Sequence, residues 1–219
     1  MTNRRHFLQR LLAAGFANSL PGAIGSALAA SDKPLPQGIV RMNGKVTVNS
    51  QTASQGMLIR PGDSISTGLD TETVYVIGQD AFLQRANSTV NFMGETFVGG
   101  LRIVSGKLLA VFGKQKKTIY TSVATIGIRG TGCYIEAATS RMYICLCYGE
   151  ADFTPAIAPE KAARIVTLHH ESPVWISGEN HAQPISKAPM INHSDAELAL
   201  LESLVGRSTP FESAPGKAY

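Results

Sequence analysis

Charge, aromatic rings and thiols are all scarce in this sequence: 16% of residues are charged, 7% are aromatic, and there are one tryptophan and three cysteines. After the first thirty residues no apolar run is long enough to cross a bilayer as a helix. Nucleophile-elbow G-x-S-x-G, zinc-protease H-E-x-x-H and phosphate-loop G-x-x-x-x-G-K-S/T patterns are all missing, which removes the commonest hydrolase and nucleotide-binding signatures. Asp63 and Asp80 have no second carboxylate at a fixed spacing and read as turn residues. No enzyme is expected.

What is present begins with an export signal. Arg4-Arg5 precede Phe7 and Leu8, and a broken, mildly apolar stretch runs from Leu11 to Ala30. This is the pattern of a twin-arginine signal peptide, and Ala27-Leu28-Ala29 offers a small-x-small cleavage site. Residues 1–29 are therefore expected to be removed and the mature protein to be periplasmic, not integral to the membrane. The removed segment holds Arg4, Arg5 and Arg10 and no acidic residue. Lys+Arg falls from 20 to 17 against 16 Asp+Glu, a mature net charge of +1. Nucleic-acid binding needs a clustered basic face, so no nucleic-acid partner is expected. The one basic run, Lys114-Gln115-Lys116-Lys117, reads as a solvated turn.

Between residues 38 and 176 about twelve short β-branched runs alternate with turn signals such as Asn43-Gly44, Pro61-Gly62 and Ser105-Gly106. Their spacing predicts an all-β fold, a sandwich or a short solenoid. Residues 177–219 read as a polar linker, one short helix over 194–205, and a tail. Ser194-Asp195-Ala196-Glu197 is a capping box, Leu198, Leu201, Leu204 and Val205 make one apolar stripe, and Gly206 is placed to stop the helix.

Several of these stretches resemble the FecR-type domain, an extracytoplasmic all-β module. Gly38-Ile39-Val40 with Gly44-Lys45-Val46 is similar to its opening strand pair. Ile59 to Gly68 is similar to its L-x-x-G-D-x-I-x-T-G segment. Val104-Ser105-Gly106-Lys107 resembles a later turn, and Arg129-Gly130-Thr131 its closing R-G-T. The resemblance covers about residues 38 to 151. It implies an extracytoplasmic β-domain and a non-catalytic binding or envelope-sensing role with an envelope protein as partner. Well-described members relay iron-siderophore signals to a sigma factor through a cytoplasmic segment and a membrane helix. With a signal peptide in that place, this relay is not expected here. Oligomeric state is left open.

The cysteines depart from the resemblance. Cys133, Cys145 and Cys147 fall within fifteen residues. On a strand Tyr143, Cys145 and Cys147 share one face, with Ile144, Leu146 and Tyr148 on the other. Cys133 joins the pair if the intervening hairpin loop is odd in length and faces away if it is even. Three readings stand: buried small hydrophobes, a Cys133 disulfide to one of the pair, or a zinc or iron–sulfur site. The metal reading takes Cys133, Cys145, Cys147 and one of His169 and His170, which point to opposite faces if they lie in a strand. His193 is a reserve ligand and His181 reads as solvent-exposed. A thiol nucleophile, Cys145 or Cys147 beside His169, is the remaining class.

Overall fold

Fourteen strands, one α-helix and a single 3-10 turn at Pro159–Lys161 form within the residues described by this computed structural model, 35–94, 100–179 and 183–211. The expected export signal, His181 and the end of the tail lie outside them. The strands are β1 (Gly38–Asn43), β2 (Val46–Val48), β3 (Gln51–Thr52), β4 (Ser64–Thr67), β5 (Glu72–Ile77), β6 (Asp80–Gln84) and β7 (Thr89–Phe92). They continue with β8 (Leu101–Val111), β9 (Lys116–Tyr120), β10 (Ala124–Ala137), β11 (Arg141–Pro155), β12 (Ala163–Thr167), β13 (Val174–Ser177) and β14 (Ile185–Lys187). The helix is α1 (Asp195–Leu204). The expected all-β fold with one C-terminal helix is what forms, and it takes the sandwich form. Among the described residues no helix is long and apolar enough to cross a membrane.

All strands belong to one mixed sheet that folds back on itself through β8, β10 and β11. The start of β10 pairs with β9 and the end of β11, whereas its second half pairs with β8 and the start of β11. Each long strand thus serves both layers, and an inner cluster including Ile65, Phe82, Ile103, Ile126, Ile144 and Phe153 fills the space between them. Several runs expected as separate short strands merge for this reason: β8 unites two of them, while the run Thr118–Ile128 divides between β9 and β10.

The corner where the sheet folds carries the R-G-T residues. Arg129 lies opposite Glu150 but Gly132 lies opposite Tyr148, so β10 gains a residue there. Thr131 is buried and donates to the Glu150 carbonyl at 3.2 Å, and Gly130 N–H donates to Gly113 O at 3.0 Å. One step on, Gly132 opposite Tyr148 gives way to Cys133 opposite Leu146, so Cys147 is a bulge on β11. Gly132 is required here because a Cβ would stand 2.4 Å from the Tyr148 ring that crosses it.

The G-D-x-I-x-T-G segment also builds structure. The Asp63 carboxylate accepts from Arg60 N–H at 2.6 Å and from the Asn49 side chain at 2.7 Å, closing the turn before β4. Asp80, in contrast, is not a turn residue. It is buried at the start of β6, accepts from Gly113 N–H, and pairs with the buried Lys117 ammonium at 3.1 Å. The basic run is solvated only as far as Lys116.

Helix α1 covers the outer face of β6 and β8. This explains why Leu108 to Val111 are all buried while the first half of β8 alternates buried and exposed residues. The Ser194–Glu197 capping box forms with both bonds, and Gly206, at φ 71°, ends the helix. Burial of Leu198, Leu201 and Val205 contributes about 1.5–3 kcal/mol each. The apolar stripe therefore docks on the β-domain.

The segment entering α1 is tied down at Glu136, whose carboxylate accepts from Tyr134 at 2.6 Å and from the Asn192 side chain at 2.6 Å, with Lys107 at 3.6 Å. Burial works against the charged form, but these partners outweigh it and lower its pKa below the ordinary 4.5. A depressed carboxylate stabilises above its unfolded pKa and loses that contribution as pH falls through the folded value. Glu136→Gln is therefore expected to flatten the acid limb of a urea-midpoint titration below pH 4.5. An unchanged acid limb would contradict this.

Candidate metal centre

Parity decides which thiols meet. Ala137 lies opposite Met142 across the β10–β11 hairpin, so four residues intervene and the loop is even. Cys133 accordingly lies opposite Leu146 and belongs to the inner cluster with Ile135 and Ile144, whereas Cys145 lies opposite Tyr134 on the outer face. All three cysteines are free and buried. The arrangement disfavours a bridge from Cys133 to Cys145, because their side chains leave opposite faces of the sheet. It also leaves Cys133 out of the group of donors that converges. The bulge at Cys147 changes the expected alternation as well, since Tyr148 returns to the outer face and its hydroxyl donates to Glu202 of α1.

The histidines come from places that alternation could not show. β12 ends at Thr167, so His169 and His170 lie in the loop after it, and His170 has a left-handed φ of 57°. Both rings turn toward α1: His169 Nε2 and His170 Nε2 lie 2.9 Å from the two carboxylate oxygens of Asp195. His170 alone reaches inward, with Nδ1 3.3 Å from Cys145 Sγ. His193, the reserve residue, supplies the next donor: its Nε2 lies 3.2 Å from His170 Nδ1, and its ring stacks on Tyr134 with centroids 4.8 Å apart. The donor atoms of Cys145, Cys147, His170 and His193 all fall within 4.8 Å of one another.

Electrostatics follow from that packing. A hydrogen bond from the Cys147 thiol, opposed by burial and reinforced by His170 and His193, holds Cys145 down at about 4. Burial and the adjacent Cys145 anion push Cys147 well up. Burial pushes the Cys133 thiol up too. For His170, burial disfavours the cation, but the Cys145 thiolate and the Asp195 carboxylate outweigh it and raise its pKa. These shifts favour a thiolate on Cys145 and a proton on the neighbouring His170 imidazole.

No family model matches the chain, and no curated protein matches it. Two crystal structures of a protein described as a candidate anti-sigma factor from Parabacteroides distasonis are similar to it, each with 13% identity and a TM-score of 0.48. In each case 57% of this chain aligns and spans 58% of that protein. That likeness is too low to transfer a function.

Proposed function

We propose that this chain is a non-catalytic FecR-type module that works in the periplasm after twin-arginine export and engages a protein partner of the cell envelope. The observation that carries the non-catalytic reading is burial. Cys145, the one thiol with a depressed pKa, is fully buried beside an equally buried Cys147, so no dissolved substrate reaches it. The residues behind the FecR resemblance support the FecR-type fold reading alone. Asp63 closes a turn and Arg129-Gly130-Thr131 form the corner of the sheet, so both stretches serve architecture in this chain.

Two results test the reading. In native protein all three thiols should alkylate slowly with iodoacetamide and all three quickly after denaturation; one fast thiol in the native state would make it a thiol enzyme instead. The full chain should reach the periplasm, and Arg4→Lys with Arg5→Lys should hold it in the cytoplasm. A wild-type chain that stays inside would overturn the location.

A further inference from the structure

Three segments bring four soft donors to one point: β11 supplies Cys145 and Cys147, the loop after β12 supplies His170, and the segment before α1 supplies His193. We propose that these four residues bind a single zinc-class divalent ion as a closed Cys2His2 centre. The inference does not rest on the FecR-type reading.

Distance is the first support. With Zn–S near 2.3 Å and Zn–N near 2.0–2.1 Å, tetrahedral coordination places a sulfur and a nitrogen about 3.6 Å apart and two nitrogens about 3.4 Å apart. Cys145 Sγ to His170 Nδ1 is 3.3 Å and His170 Nδ1 to His193 Nε2 is 3.2 Å, so small movements would seat an ion.

The tautomers are the second support. His170 Nε2 faces the Asp195 carboxylate at 2.9 Å, and His193 Nδ1 faces the Ile191 carbonyl at 2.7 Å. Both partners only accept, so in the neutral rings these nitrogens carry the protons. The opposite nitrogens then present lone pairs to each other and to the Cys145 sulfur. Lone pairs converging in this way are satisfied by a metal ion or by a proton between them. A carboxylate behind one ligand histidine and a backbone carbonyl behind the other is the outer shell that orients imidazoles on a metal.

Donor type and charge select the metal. Two thiolates and two imidazoles suit zinc and not calcium or magnesium, which take oxygen. A divalent ion with two thiolates is neutral overall, which suits a buried site. A Rieske-type two-iron cluster holds its histidines on one iron and its cysteines on the other, separating sulfur from nitrogen; the 3.3 Å contact between Cys145 and His170 opposes that. Four protein ligands leave no open position, so the ion is structural and not catalytic. The competing occupant is a proton shared between Cys145 and His170.

The test is metal content by elemental analysis on mature protein purified without chelator, joined to visible spectra after exchange into cobalt. One zinc per chain is expected. It should be lost in Cys145→Ser, Cys147→Ser, His170→Ala and His193→Ala and kept in Cys133→Ser and His169→Ala. The wild-type cobalt form should show intense tetrahedral ligand-field bands with sulfur-to-cobalt charge transfer, a readout that does not depend on any variant folding. Protein with no zinc and no such cobalt spectrum would leave the proton as occupant and overturn the proposal. Metal retained in His193→Ala, or lost in Cys133→Ser, would overturn the ligand set.

Discussion

Arg85→Met is expected to lower stability by about 3–5 kcal/mol, because it strands the buried Glu197 carboxylate. The Arg85 side chain is only 5% exposed. Its guanidinium lies 2.7 Å from Glu72, 2.7 Å from Glu197 and 3.0 Å from the Asn192 carbonyl, so it joins β5 to the start of α1. Glu197 also closes the capping box and is buried itself, so it cannot turn to water when the cation is gone. An exposed ion pair would be worth about 0–1 kcal/mol. A urea-unfolding loss in that lower range would mean that the region opens to solvent. A loss in the larger range that Arg85→Met/Glu197→Gln partly recovers would identify the uncompensated charge as its cause.

Lys117→Met should cost a similar amount, about 3–5 kcal/mol at neutral pH, by leaving the Asp80 carboxylate buried without its cation. Here pH supplies a second check. Burial is the largest influence on Asp80 and already raises its pKa above 3.8, against the opposing effects of Gly113 N–H and Lys117. A carboxyl raised in the folded state holds its proton more tightly there than in the unfolded chain. Its contribution to stability therefore falls as pH rises through that window and recovers on acidification. Removing Lys117 widens the window, so the deficit of Lys117→Met should shrink as pH falls toward 4. Asp80→Asn/Lys117→Met should restore most of the loss at neutral pH. A deficit that does not change with pH, and that the double variant does not relieve, would contradict the assignment.

Lys117 also shows where the sequence stops being informative. A cluster of three lysines around a glutamine reads as solvated, and for Lys114 and Lys116 it is. Lys117 is buried because Asp80, far away in sequence, meets it across the fold, and neither residue announces the other. The same holds for Arg85 and Glu197, and for Glu202 beneath Tyr148. Local signals fared better. Alternation and turn residues predicted the strands, and the serine–glutamate capping box located α1.

The cluster was half legible. That Cys145 and Cys147 mattered was visible in their spacing, but whether Cys133 joins them depended on the hairpin loop being even or odd. The bulge at Cys147 could not be read from alternation, which assumes an unbroken ladder. His169 and His170 would face opposite ways only in a strand, and β12 stops at Thr167, so a left-handed His170 carries both rings toward Asp195. His193 had a usable signal: it immediately precedes a capped helix, a position held rigidly wherever the helix docks. Its partner His170 lies 23 residues earlier, and only the tertiary fold joins them.

X-ray absorption at the zinc edge of the purified protein tests the proposed centre most directly. Two sulfur scatterers near 2.3 Å and two nitrogen scatterers near 2.0–2.1 Å around one ion, with no metal neighbour, is the predicted result. Three sulfurs on the ion, a metal–metal distance, or protein that carries no metal would contradict it.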